Sequence, residues 1–272
     1  MAFGCQMDAG VDPSWRDHGV GLLVSLACVS AGDIFVMRPL FTNASARWFA
    51  LHASFNLAVA ALTARDVWSV LSSPLCSLAQ PMASASWTAV HIILAGHFYH
   101  ALAFSIKPQE ARHHLVFTGI GGAITLSFPW GPLMSMTAFL ISGLPGAIDY
   151  ALLAAVKSGR MDPLREKKSN MLLHTWLRMP GLVFVVTVAW CCLAHGVSTR
   201  LHTPVLLAAM ALCMVNGLHY GAQVCPPYGP DLTFDLSQTL TCTLPYRRVH
   251  RSSAATTSGS FTPLPRRATK RE

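Results

Sequence analysis

Charge is what this chain has least of. Only 12% of its 272 residues are Asp, Glu, Lys or Arg, 52% are hydrophobic, and mean hydropathy is +0.43. A soluble domain carries roughly 25% charged residues, so the composition points to a polytopic membrane protein. Other absences narrow the class. Ten-residue stretches of alternating hydrophobicity are missing, which argues against a transmembrane β-barrel. The eight cysteines show no CxxC or metal-finger spacing, so neither a disulfide framework nor a zinc site is expected, and Cys28, Cys191, Cys192 and Cys213 lie inside apolar runs as small hydrophobes. There is no GxSxG nucleophile elbow, no DRY or NPxxY pattern and no internal repeat. Residues 1–18 hold Asp8, Asp12, Arg16 and Asp17 rather than a basic leader, so the first apolar run is expected to act as an anchor instead of a cleaved signal.

What is present is a series of apolar runs of membrane length, at about 19–37, 48–64, 86–106, 114–128, 133–156, 179–196 and 203–223. The expectation is an all-α transmembrane bundle of about seven spans, with the N-terminus outside and the C-terminus cytosolic. Under that orientation only Arg16, Arg65 and Arg200 of the 20 basic residues lie outside, as the positive-inside rule requires. The sequon Asn43-Ala44-Ser45 is then cytosolic and unglycosylated. The chain divides into a short polar N-terminus (1–18), a first anchor (19–39), a membrane domain (40–225) and a basic tail (226–272). That tail is Pro/Ser/Thr-rich and reads as disordered. The net charge of +8 follows from loop orientation and from a tail suited to anionic lipid, with no nucleic-acid partner implied.

Five histidines fall in one 24-residue stretch: His91, His97, His100, His113 and His114. Ionisable groups inside a membrane are costly and face inward, which makes them functional candidates. Depth read from the span ends places His52, Asn56, His97, His100, His113, His114, Asp149, Asn216 and His219, with Asp33, in one slab near the cytosolic face, roughly 12 Å deep at about 1.5 Å per residue. His91 lies apart, toward the outer half. A polar cavity opening to the cytosol fits a ligand with a polar head and an acyl chain. Adjacent residues on a helix point about 100° apart, so one of His113 and His114 is expected to face the bundle and the other the interface. A histidine beside an aspartate can act as a general base. Local features carry packing expectations. Gly119, Gly121 and Gly122 permit close helix approach, Gly143-Leu144-Pro145-Gly146 is expected to kink its span, and Trp48, Trp87, Trp130 and Tyr220 read as interfacial anchors. Membrane di-iron oxidases also gather cytosolic histidines, but H-F-Y-H and R-H-H differ from the HxxxH and HxxHH boxes, and bound iron would identify that alternative.

Three segments taken in order resemble the TLC (TRAM/LAG1/CLN8) domain family across roughly residues 40–225. They are Arg47-Trp48-Phe49-Ala50-Leu51-His52; the His113-His114 pair, with Thr118 four residues on and Phe98-Tyr99 in the preceding helix; and the run from Ile148-Asp149-Tyr150 to Val156-Lys157. The resemblance implies a helical bundle around a lipid-accessible cavity in endoplasmic reticulum or Golgi membranes, with membrane lipids as partners and a homo-oligomer as a possible assembly. One role it implies is lipid binding or homeostasis, with His52, Asn56, His97, Tyr99, His100, Asn216 and His219 lining the cavity. The alternative it implies is a ceramide-synthase-like N-acyltransferase with no bound cofactor and acyl-CoA as co-substrate, in which His113, His114 and Asp149 are catalytic. The chain departs from the synthase pattern: HDxSD is replaced by Pro145-Gly146-Ala147-Ile148-Asp149, the Asn and Arg expected earlier are absent from 115–143, and His100 stands near where many members carry Asp.

Overall fold

A computed structural model describes residues 12–197 and 201–224, which belong to one compact unit. Among the described residues the structure is all-helical, with no strand. Seven helical rods succeed one another: α1 (Trp15–Leu40), α2 (Ala44–Ser72), α3 (Ser84–Ala103), α4 (the consecutive segments Pro108–His113, His114–Ile120 and Gly121–Ser127), α5 (Pro132–Lys157), α6 (Pro163–Ala194) and α7 (Thr203–Val224). Four helices are long and apolar enough to cross a membrane: α1, α5, α6 and the Thr203–Ala222 part of α7. The three histidines of α3, and the Arg47, Arg65 and Asp66 of α2, lower the apolarity of those two rods. The tail 226–272, and the first eleven residues of the polar N-terminus, lie outside the described residues.

Each apolar run of the sequence maps onto one rod, three of them overrunning its end by one to three residues, and local chemistry sets the ends. Ser14 and Asp17 form a reciprocal capping box at the start of α1. The Asn43 side chain accepts from the backbone of Ser45 and Ala46 to cap α2, at 2.9 and 3.1 Å. Asp162 caps α6 in the same way, and Pro108, Pro132 and Pro163 open α4, α5 and α6 where a missing N–H costs nothing. The sixth run begins much earlier than its apolar part implies. Residues 163–178, read from their charge as a loop, continue the helix, so α6 has 32 residues and is about 48 Å long. Its polar first half extends beyond any bilayer core of about 30 Å.

The rod α2 is the hub, packed against α3 and α5 along its length. Helix α1 packs on α3, and α6 packs on α7. Four rods contain π-helical turns, Gly32–Met37, His114–Ile120, Phe139–Gly143 and His174–Arg178. The expected kink at Gly143-Leu144-Pro145-Gly146 takes this form: the π turn ends at Gly143, and Pro145 opens the next α segment. Of the three glycines in α4, only Gly122 meets another helix, where a Cβ would lie 2.6 Å from Leu94; Gly119 and Gly121 are close only to their own rod.

Two further expectations are corrected. Trp48, Trp87 and Trp130 are buried core and cavity walls rather than interfacial anchors, and the outward-facing tryptophans are Trp15, Trp68, Trp176 and Trp190. Cys76 is disulfide-bonded, although no cysteine spacing suggested a pairing. The four others described, Cys28, Cys191, Cys192 and Cys213, are free.

Candidate functional site

The polar layer converges. His52 and Asn56, one turn apart on α2, are 4% and 0% exposed. His52 stacks face to face on Tyr150 of α5, centroids 3.7 Å apart, and lies 5.5 Å edge-on from His97 of α3. His100 stacks on Trp48 at 3.8 Å, and its Nδ1 is 3.4 Å from Nε2 of His114. The ring of His114 is 5.1 Å from that of His97. The Nδ1–H of His97 donates to the Ile93 carbonyl at 2.7 Å, which leaves Nε2 as the acceptor of the neutral ring.

Both members of the histidine pair face the interior, against the expectation that only one would. His114 meets His97 and His100, whereas His113 stacks on His219 of α7 at 5.6 Å and leans on Phe117. A π turn begins at His114, and its wider winding alters the angle between successive side chains there.

Asp149 has a different environment from the one expected. It does not orient a histidine. Its carboxylate accepts from the Asn170 side-chain amide at 2.7 Å and lies 3.7 Å from the Arg178 guanidinium, which sits 4.7 Å over the Tyr220 ring. Asn170 also bonds Glu166 one turn earlier on α6. Tyr99 is displaced from the set as well: its hydroxyl donates to Asp33 at 2.8 Å, Arg47 lies 3.3 Å from the same carboxylate, and Tyr99 lines neither of the two cavities between the rods. This trio ties α1, α2 and α3 together. His91, set apart in the sequence reading, pairs with His18 at 3.0 Å, a partner that the sequence reading missed.

Two adjoining cavities occupy the space between the rods, sharing walls at His52, His97, His113, Phe117, Tyr150 and Tyr220. The larger, about 820 Å³, is a polar mouth that adds His100, His114, Asp149, Asn170 and His219, with Lys107, Glu110, Arg112, Glu166 and Lys167 around it. The smaller, about 190 Å³, continues past Asn56, Asn216 and Arg178 into an apolar chamber bounded by Leu94, Ile124, Trp130, Met134 and Leu212. Thus every expected site residue except Tyr99 borders a cavity. Trp48, Phe117, Tyr150, Glu166, Asn170, Arg178 and Tyr220 are additional wall residues that sequence reasoning did not select.

Several polar atoms around this space are buried without a protein partner: Nδ1 of His52, His113 and His114, both side-chain polar atoms of Asn56, and Oδ1 of Asn216. Leaving such a group unpaired costs about 1–3 kcal/mol. Their convergence therefore defines a surface suited to a hydrogen-bonding ligand or to water. Among the described residues, no group of three or more His, Cys, Asp or Glu is placed to hold a metal ion. No family model, curated protein or solved structure matches this chain.

Proposed function

We propose that this chain is a TLC-like integral membrane protein that binds or adjusts membrane lipids through a cavity facing the cytosol. The observation that carries the proposal is the polarity gradient across two adjoining cavities with common walls, from a charged mouth through a ring of imidazoles and carboxamides to an apolar chamber. An amphiphile matches that gradient, because its chain gains from the apolar walls and its head can pair the stranded polar atoms.

The topological part of this proposal is seven crossings with the N-terminus outside. One apolar run in each rod supports the number, and basic residues at the histidine end of the bundle support the orientation. The disulfide at Cys76 sits at the opposite end and suits an oxidising lumen or exterior. Residence in the endoplasmic reticulum or Golgi is part of the same proposal.

A second reading, acyl-CoA-dependent N-acylation, is favoured by one specific feature: His113 and His114 both border the mouth. In that reading one of them removes the proton from the attacking amine, and Asp149 positions Arg178 and Asn170 rather than the base. Purified protein is to be incubated with acyl-CoA and a sphingoid base, beside a His113→Ala/His114→Ala variant that folds equally well. Lipid retained without product supports binding, and an amide formed by wild type alone supports transfer. Neither lipid nor product in wild type contradicts both readings.

A further inference from the structure

The far end of the inner chamber is built differently from its mouth. The turn between α4 and α5, Phe128-Pro129-Trp130-Gly131, carries the Trp130 indole into the chamber, 5% exposed, beside Met134. Gly131 has φ +67°, and a Cβ there would collide with the carbonyl oxygens of Ser77 and Gln80. The turn is thus seated directly against the α2–α3 connection. That connection is itself held: Cys76 is disulfide-bonded, the Ala83 N–H donates to Asp66 at 3.2 Å, and Ser135 of α5 donates to the same carboxylate at 2.7 Å. Trp130 belongs to the same main hydrophobic core as Leu78, Met82 and Leu133.

The dimensions suit one chain. On α7 the chamber wall runs from Tyr220 to Ala209, eleven residues or about 16 Å along the axis. Its volume of about 190 Å³ is too small for two chains side by side over that length.

We propose that the inner chamber receives one acyl chain end-on and that Trp130, backed by Met134, is the floor that determines how long that chain can be. The inference rests on the lipid-binding reading and adds the specificity determinant. The ligand class is a single-chain amphiphile, or a lipid that inserts one of its chains. Each methylene accommodated strengthens binding about fourfold, and the gain ends where the chain meets the indole. Replacing Trp130 by Ala deepens the chamber and moves that end point to longer chains. Replacing Thr125, on the α4 wall of the same chamber, by Phe fills part of its depth and moves that end point to shorter chains.

The test uses the full purified chain in detergent, incubated separately with saturated fatty acids, sphingoid bases and lysophosphatidylcholines of graded chain length. Bound lipid is measured by mass spectrometry after gel filtration, for wild type, Trp130→Ala and Thr125→Phe. The expected result is a wild-type length cut-off, shifted in opposite directions by the two variants in whichever lipid series binds. Because Trp130 is also a core residue, only variants that elute as monodisperse protein are compared; Thr125→Phe alone tests the claim if Trp130→Ala does not fold. Lipid bound with an unchanged length profile overturns the floor while leaving the lipid-binding reading intact. Binding of none of the three series by wild type overturns both.

Discussion

The two ends of the bundle treat buried polar groups in opposite ways. At the Cys76 end they are paired. Asp66 accepts from Ala83 and Ser135, His18 meets His91, and the Ser77 hydroxyl donates to the Pro74 carbonyl at 2.6 Å. Only the Ser86 hydroxyl at that end is buried without a partner among the described residues. At the histidine end, His52, Asn56, His113, His114, His174 and Asn216 all keep stranded atoms, and the rods stand apart around a cavity. Folding alone favours the first arrangement, since an unpaired buried group is destabilising. The second is the pattern of a surface built to meet something that is not protein. The difference teaches that the pairing of buried polar groups is spatially divided here, with a closed end that holds the rods and an open end that leaves polar atoms unpaired.

The sharpest break of this contrast comes from the closed end. Gly131→Ala places a side chain at positive φ against backbone oxygens, so a loss of about 3 kcal/mol or more is expected, seen as a collapse of thermal midpoint and monodisperse yield. A wild-type midpoint would mean that the turn is not locked. Asp66→Ala strands the Ala83 N–H and the Ser135 hydroxyl, for an expected loss of about 2 kcal/mol; an unaltered midpoint would place water where the carboxylate is now described. At the open end the same kind of change should be mild. Asn216→Leu removes a stranded carboxamide without unpairing a protein group, so stability within about 1 kcal/mol of wild type is expected, together with weaker lipid retention. A large loss of stability there would erase the distinction between the ends. The smallest effect concerns orientation. Asn43→Gln should leave the mobility of membrane-expressed protein unchanged by glycosidase, whereas a sequon introduced in the 77–83 connection should be glycosylated. The reverse pattern would invert the topology.

Much of this was legible in the amino-acid pattern, and the reasons it stopped are physical. Apolar runs located the seven rods because burial and helical rise impose a length. His52, His100, His113, Asn216 and their neighbours fall at one level because residue number maps linearly onto depth along a helix. Tyr99 joins the expected cavity set with the family resemblance rather than from depth, and neither carries the helix rotation that turns its hydroxyl to Asp33. Trp48 and Trp130 were read as anchors because an aromatic near a span end has the same letter whether it faces lipid or lines a chamber. Residues 163–178 looked like a loop because Arg165, Lys167 and Lys168 suggest solvent, while Glu166 and Asn170, one turn apart, turn inward toward Asp149. The disulfide at Cys76 left no trace in spacing, since pairing depends on a fold not yet known.

The proposed function requires that the chamber between Asn56 and Trp130 be occupied by a lipid chain. The direct measurement is mass spectrometry of lipid retained by the purified wild-type chain and by Ala138→Phe, a substitution that fills the chamber from its α5 wall and leaves the closed end untouched. The account predicts selective retention by wild type and its loss in the filled variant at an unchanged thermal midpoint. Equal retention by both proteins, or none by either, would contradict it.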